Sequence, residues 1–485
     1  MDSLKSGHKV GQLREWETGF FPQFWAMRKY TFLLVWSLVS LMTYGQVLTG
    51  ADRLNRYLPL LSGKRVGVFA NQTSLVGKTH LVDTLIALGV EVKVIFGPEH
   101  GFRGKADAGE KVGNAIDEKT GIPVVSLYGA KRRPDKADLS EVDVMLFDIQ
   151  DVGVRFYTFI SSLEEYIQSA IEFQKPLILL DRPNPNGHYV DGPVLDTRYR
   201  SFVGRQPIPI VYGLTLGEYA GMLIGENWLN KSDPKSETKP KPKADSKTEV
   251  HPDTEEQNVE LAIVSKIDLT KKNANARFGG TYLDDRNELP TLTDNQFQLL
   301  VITCAKYDHR TKYVLPVKPS PNLPNIQSIY LYPSTCLFEG TVLSEGRGTD
   351  KPFQVFGHPD LPKTLFAFTP NPNEGAKNSK HYGKKCYGWT ISGSPEQVRA
   401  QVNNRIQLKW IIQAYQQFPK KDSFFLFPKS GNMEESFFTK LAGNNELWQQ
   451  IKQGKSEAEI RASWKPKLDE FIAIRSKYLL YPDFK

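Results

Sequence analysis

Cysteine is scarce: the 485 residues contain three, Cys304, Cys336 and Cys386. An odd count cannot close a paired disulfide framework, and their spacing fits no zinc pattern. They are expected to be buried or incidental thiols. Charge of one sign is also lacking, since 62 Lys and Arg against 54 Asp and Glu leave +8 over the whole chain. Without a long basic stripe to follow a phosphate backbone, a nucleic-acid partner is not expected. The apolar run at 31–42 falls short of the roughly 20 residues that span a bilayer. Phosphate-binding loops are missing too. Gly77-Lys78-Thr79 looks like the end of a P-loop, but Gln72 stands where its first glycine is required. No G-x-G-x-x-G follows the first predicted strand, and there is no G-x-S-x-G elbow or H-E-x-x-H helix. His100 has no second histidine at a ligand spacing, so no cofactor and no metal are expected.

What is present is a chain of ordinary globular composition, 24% charged and 40% hydrophobic, long enough for two to four domains. Near the N-terminus, Met27-Arg28-Lys29-Tyr30 precedes the apolar run, and Thr43-Tyr44-Gly45-Gln46 follows it. Charged, apolar, small is the order of a secretory signal. Cleavage is expected after Gly45, which makes 1–45 an N-terminal extension plus signal and places the protein in the periplasm or outside the cell. An uncleaved membrane anchor is the alternative. No role is assigned to 1–26.

From residue 64 onward, short β-branched runs alternate with helical spacing, as in a parallel α/β sheet. Strands are predicted at 65–70, 91–96, 123–127, 142–147, 176–180, 259–267 and 299–305. Helices are predicted at 80–88, 159–173 and 215–229, the last opened by the capping box Thr215-Leu216-Gly217-Glu218. The segment 231–257 has four prolines, no aromatic residue and only Ala244 and Val250 as apolar side chains. It cannot bury enough to offset its ordering entropy and reads as a disordered insertion. Beyond 308 come Pro-rich loops, short strands and helices at 394–418 and 456–480. The fold class expected is α/β: a Rossmann-like doubly wound sheet domain over 46–307, then a smaller α+β domain over 308–485 closing a cleft.

Open parallel sheets bind ligands outside the carboxyl ends of their strands, so the residues following each strand are the place to search. They are Asn71 after the first; Glu99, His100 and Arg103 after the second; Asp148, Gln150, Asp151, Arg155 and Tyr157 after the fourth; and Asp181, Arg182 and Asn184 after the fifth. Carboxylates, amides and arginines thus converge on one edge. Such a set suits hydrolysis by oxygen acids. Partial desolvation beside Phe96 and Phe102 would favour a protonated carboxyl, as a general acid needs, and glycosidic bonds are cleaved by an acid with a second group opposite.

At these residues the chain resembles the secreted exo-β-N-acetylmuramidases of the NamZ type, long catalogued as a domain of unknown function. The resemblance rests on Pro98-Glu99-His100-Gly101-Phe102-Arg103-Gly104, on Phe147-Asp148-Ile149-Gln150-Asp151-Val152-Gly153-Val154-Arg155-Phe156-Tyr157-Thr158, and on Asp181-Arg182-Pro183-Asn184-Pro185. It continues through Pro319-Ser320-Pro321-Asn322-Leu323-Pro324, Tyr332-Pro333, Cys336 to Thr341, Leu343-Ser344-Glu345-Gly346-Arg347-Gly348-Thr349, and Tyr478 to Phe484. The 1–26 extension and the length of 231–297 depart from it. The resemblance implies removal of the terminal non-reducing N-acetylmuramic acid from peptidoglycan fragments, in a cleft of a Rossmann-like domain that holds no dinucleotide. Glu99 matches the proposed catalytic acid. Glu345, Asp148 and Asp151 are candidates for the opposing group, as is the substrate's own acetamido oxygen. Arg103, Arg155, Arg182 and Arg347 are candidates for the lactyl carboxylate, which a guanidinium matches with two donors. The implied partners are muramyl saccharides, and no stable protein partner is implied. A non-catalytic receptor for wall fragments would use the same cleft and is the competing reading.

Overall fold

The computed structural model describes residues 46–104, 113–229 and 280–484. The expected signal, the 1–26 extension, the 231–257 insertion and the strand at 259–267 lie outside the described residues. In chain order the first strands are β1 (Arg65–Ala70), β2 (Leu75–Val76), β3 (Thr79–His80), β4 (Glu91–Gly97) and β5 (Ala115–Ile116). They are followed by β6 (Pro123–Ser126), β7 (Val144–Asp148), β8 (Leu177–Leu180), β9 (Thr281–Leu283) and β10 (Leu299–Ile302). All but β2 and β3 join one sheet in the order β5-β6-β4-β1-β7-β8-β10-β9. Every neighbouring pair is parallel except β5 with β6. From β1 the chain winds outward through β4 and β6, then returns to wind the other way through β7, β8 and β10. The sheet is doubly wound, with its reversal between β1 and β7. β9 was not foreseen from the sequence.

The central strands read as continuous apolar runs because both of their faces are covered. Met145 and Phe147 of β7 point to the side of Phe69, Phe96 and the helix α2 residues Leu163, Tyr166 and Ile167 (α2 spans Phe159–Glu172). Val144 and Leu146 point the other way, to Val66, Val68 and to Leu81, Val82 and Leu85 of α1 (Leu81–Ala87). Phe69 and Phe147 stack with centroids 4.8 Å apart and Tyr166 packs edge-on against Phe69, so truncating Phe147 to Ala would cost about 3–5 kcal/mol. Helix α3 (Leu216–Gly225) opens with the expected capping box, both of its hydrogen bonds being formed. Gly77 is no phosphate loop. It turns the β2–β3 hairpin at φ +58°.

The C-terminal part holds the antiparallel sheet β11-β13-β12, from Val355–His358, Cys386–Thr390 and Phe366–Phe368. Around it lie α4 (Ile326–Thr335), α5 (Pro395–Val402), α6 (Leu408–Gln417), α7 (Phe437–Ala442), α8 (Glu446–Lys452) and α9 (Glu457–Arg475). The single helix expected at 394–418 is two, because Asn403 and Asn404 both take left-handed φ near +50° and stop α5. The apolar layer containing Phe147 and Tyr166 runs on without a break through Tyr332, Phe338 and Phe356 to Phe438 and Phe471. Cys304, Cys336 and Cys386 are buried free thiols. No helix among the described residues is long and apolar enough to cross a membrane.

The helix expected to reach 480 ends at Arg475, and the chain beyond it returns to the first sheet. The Tyr481 hydroxyl donates to Asp181 Oδ2 at 2.6 Å and accepts from the Cys304 amide at 2.9 Å. The Leu480 amide donates to Glu218 Oε1 at 2.8 Å, and Arg475 donates to the Gly213 carbonyl and to Asp483. Tyr481→Phe keeps the ring and strips two buried groups of their partner. It should lower unfolding free energy by about 1–3 kcal/mol in urea titrations, and an unchanged midpoint would mean that the tail is not a latch.

Candidate active site

The gap where the strand order reverses is filled by the chain itself. Asp148, at the end of β7, is wholly enclosed and pairs with both Arg182 Nε (2.5 Å) and Nη2 (2.8 Å). Burial works against the Arg182 charge, but the Asp148 carboxylate outweighs it and holds the guanidinium protonated, above its ordinary range. Asn71 accepts from the Thr73 amide and hydroxyl, Thr73 accepts from the Gln150 amide, and Gln150 Nε2 donates to the Asp151 and Pro183 carbonyls. Asn184 holds the Asn186 amide and the Leu214 carbonyl. A Cβ on Gly153, at φ +75°, would fall 2.1 Å from Asn184 Oδ1, so only glycine fits there. Asp181 accepts from Gly217 N and Tyr481, and burial pushes its carboxyl up to about 6.

These side chains form a polar floor. Asp148, a candidate for the group opposing the acid, has both carboxylate oxygens paired with Arg182. Arg155, a candidate for the lactyl carboxylate, is enclosed as well. With 0% exposure, it donates to the carbonyls of Pro193, Ile208 and Leu441, and burial pulls its guanidinium down to about 9. Its Nε is enclosed without a hydrogen-bond partner. Arg182 is spent on Asp148 and the Leu75 carbonyl. Arg103 is forked onto Asp117 at 3.1 and 2.9 Å, with Asp83 nearby and the Phe102 ring beneath.

Above the floor, the turn after β4 carries Glu99, half-buried, and His100 in the left-handed region at φ +70°. Tyr128 donates to Glu99 Oε1 at 3.0 Å and Thr158, just before α2, to Oε2 at 3.3 Å. The expected aromatic neighbours do other work: Phe96 packs on Tyr166 and Phe102 on His80. A loop from the C-terminal part closes over this turn. Ser320 Oγ lies 3.2 Å from His100 Nε2, Tyr157 donates to the Pro319 carbonyl at 2.9 Å, and Gln72 donates to the same carbonyl at 3.1 Å. Burial, and then the charges of Asp151 and Glu99, hold the Tyr157 phenol well above its ordinary range. The structure therefore brings together Glu99, His100, Tyr157 and Asp151, and adds Gln72, Tyr128, Thr158 and Ser320, which sequence reasoning missed. Thr158 and Ser320 stood inside quoted motifs; Tyr128 carried no signal.

Glu345 and Arg347 form a second cluster. Arg347 bonds Glu339 at 2.7 Å, approaches Glu345 at 3.4 Å and lies over the Phe353 ring. Burial works against the Glu345 charge, but Lys380 and Arg347 outweigh it and hold the carboxyl below its ordinary range. Phe353 packs on Tyr332 and Tyr332 on Tyr157, so an aromatic bridge joins the two clusters.

Asp151 is the titrating member. Burial pushes its carboxyl up to about 7 against the hydrogen bonds of Tyr212 and the Gly153 amide, and its Oδ1 has no hydrogen-bond partner. Because the folded chain holds this proton more tightly than the unfolded one, with an acid near 3.9, stability falls as pH rises from about 4 through 7. Asp151→Asn cannot ionise. Its melting temperature relative to the parent should rise between pH 5 and pH 8, by an amount worth a few kcal/mol; an equal difference at both pH values would refute the shift.

Carboxyls set among hydroxyls are the equipment of glycoside hydrolysis, and comparison with known proteins agrees. Models of the N-terminal and C-terminal parts of exo-beta-N-acetylmuramidase NamZ match residues 66–252 and 330–481. The chain is 33% identical over 459 residues to the peptidoglycan beta-N-acetylmuramidase NamZ of Bacillus subtilis, covering 90% of this chain and 92% of that protein. Crystal structures of two DUF1343 family proteins from Bacteroides fragilis are similar. One is 38% identical with a TM-score of 0.69, over 90% of this chain and all of that one; the other is 25% identical with a TM-score of 0.62, over 90% and 99%. The protein is a glycosidase. More narrowly, the chain belongs to the exo-β-N-acetylmuramidase NamZ family.

Proposed function

We propose that this glycosidase acts on peptidoglycan fragments, releasing the terminal non-reducing N-acetylmuramic acid, with Glu99 as the general acid. The observation that carries the assignment is access. Asp148, Asp151, Asp181 and Glu345 are at most 5% exposed, whereas Glu99 is half-buried at a strand's carboxyl end with hydroxyls fixing both of its oxygens. The similarity to the B. subtilis muramidase supports the substrate class. Arg103 and Arg347, each paired with carboxylates but still partly exposed, are the arginines that can meet a substrate carboxylate.

Glu99→Gln keeps the shape and removes the transferable proton. Turnover of a muramyl disaccharide should fall by ~10²-fold or more while binding survives. With a nitrophenyl N-acetylmuramide, whose leaving group needs no proton, the loss should be far smaller. Equal losses on both substrates would exclude Glu99 as the acid.

Peptidoglycan lies outside the cytoplasm, and the charged, apolar, small order at 27–46 supports export by a cleaved signal. Mass spectrometry of the exported protein should then find no peptide preceding Gln46. Recovery of 28–45 in membrane-bound protein would establish an anchor instead.

A further inference from the structure

Helix α4 runs directly into a 3-10 segment, Cys336–Gly340, whose last carbonyls have no partner within the helix. The Phe338 carbonyl is capped by the Thr341 amide and hydroxyl, both at 2.9 Å, and a further donor reaches it and its neighbours from forty residues away. Lys380 Nζ lies 2.9 Å from the Phe338 carbonyl, 3.2 Å from Glu339, 3.0 Å from Thr341 and 3.0 Å from Leu343. A fifth oxygen, Glu345 Oε2, is 3.1 Å away, yet its alignment leaves it without a hydrogen bond. An ammonium group has three N–H donors, so at least two of these five oxygens are held by charge rather than by a hydrogen bond. Ringing a positive centre with carbonyl dipoles is how proteins coordinate a dehydrated monovalent cation. Of the two intervening carbonyls, Gly340 accepts from the Leu426 amide at 3.0 Å, and the neighbouring His381, at φ +56°, lies 2.6 Å from Val342. Residues 380–381 thus plug the loop that leads to Glu345 and Arg347.

We propose that loop 338–345 is a site for a weakly hydrated monovalent cation, occupied from within the chain by the Lys380 ammonium, and that a free cation of similar size fills it when that side chain is removed. Nothing in the Glu99 reading requires such a site, and the test below reads stability rather than turnover, so each stands or falls alone.

The full chain carrying Lys380→Ala is melted at constant ionic strength in sodium, potassium, ammonium, ethylammonium and tetramethylammonium chlorides. In sodium it should melt roughly 5 °C or more below the parent, since a buried carboxylate and several carbonyls lose their partner. Potassium, ammonium and ethylammonium should restore at least half of that loss. Tetramethylammonium, too large for the cradle, should not, and the parent should be indifferent to the cation. Lys380→Met refills the stem without the charge. It should show the same loss and no cation response. Equal melting of Lys380→Ala in all five salts, failure to fold in every one, or a Lys380→Met variant as stable as the parent would each overturn the proposal.

Discussion

The bidentate pair of Asp148 with Arg182 stands at the point where the sheet reverses direction, and three loops take their position from it. Arg182 reaches the β2–β3 hairpin through the Leu75 carbonyl, and the Asp148 carbonyl receives the Ser74 hydroxyl. Beside it the Gln150 amide is tied to Thr73. Removing one partner from an enclosed pair leaves a naked charge and costs about 3–5 kcal/mol, so these loops are fixed together or not at all. Doubly wound sheets commonly receive a ligand at this crevice. Here the crevice is occupied by the chain's own ions and amides, and the accessible carboxylate lies one strand over, after β4, where the C-terminal part comes down on it.

That displacement brings residues from both parts of the chain to the candidate site. Tyr157 belongs to the segment after β7 but donates to Pro319, and His100 meets Ser320. The rings of Tyr157, Tyr332 and Phe353 then carry contact across to Arg347. Small rigid parts are spaced by aromatic side chains, which hold distance with few rotatable bonds.

The sheet was legible because strands buried on both faces advertise themselves as unbroken apolar runs, and because Thr215 with Glu218 and Ser456 with Glu459 are capping boxes whose spacing is local. The polar residues that gather at the strand ends were legible for the same reason. What the sequence could not reveal is which polar residues at those ends turn inward. Asp148, Asp181 and Glu99 read alike as carboxylates after strands. Their fates separate only through partners remote in the chain: Arg182, Tyr481, and Tyr128 with Thr158. The break at Asn403 was equally hidden, since two successive asparagines suit a helix end but do not demand one.

The return of the last residues to the first sheet also makes the two halves of the chain dependent on each other. Asp181, the Cys304 amide and Glu218 belong to the α/β half, yet each takes a partner from Leu480 or Tyr481. Arg155 likewise waits for the Leu441 carbonyl. The first sheet's buried polar groups are thus satisfied by residues 177 to 300 positions further along the chain, so neither half completes its own hydrogen bonding and the two share one interior.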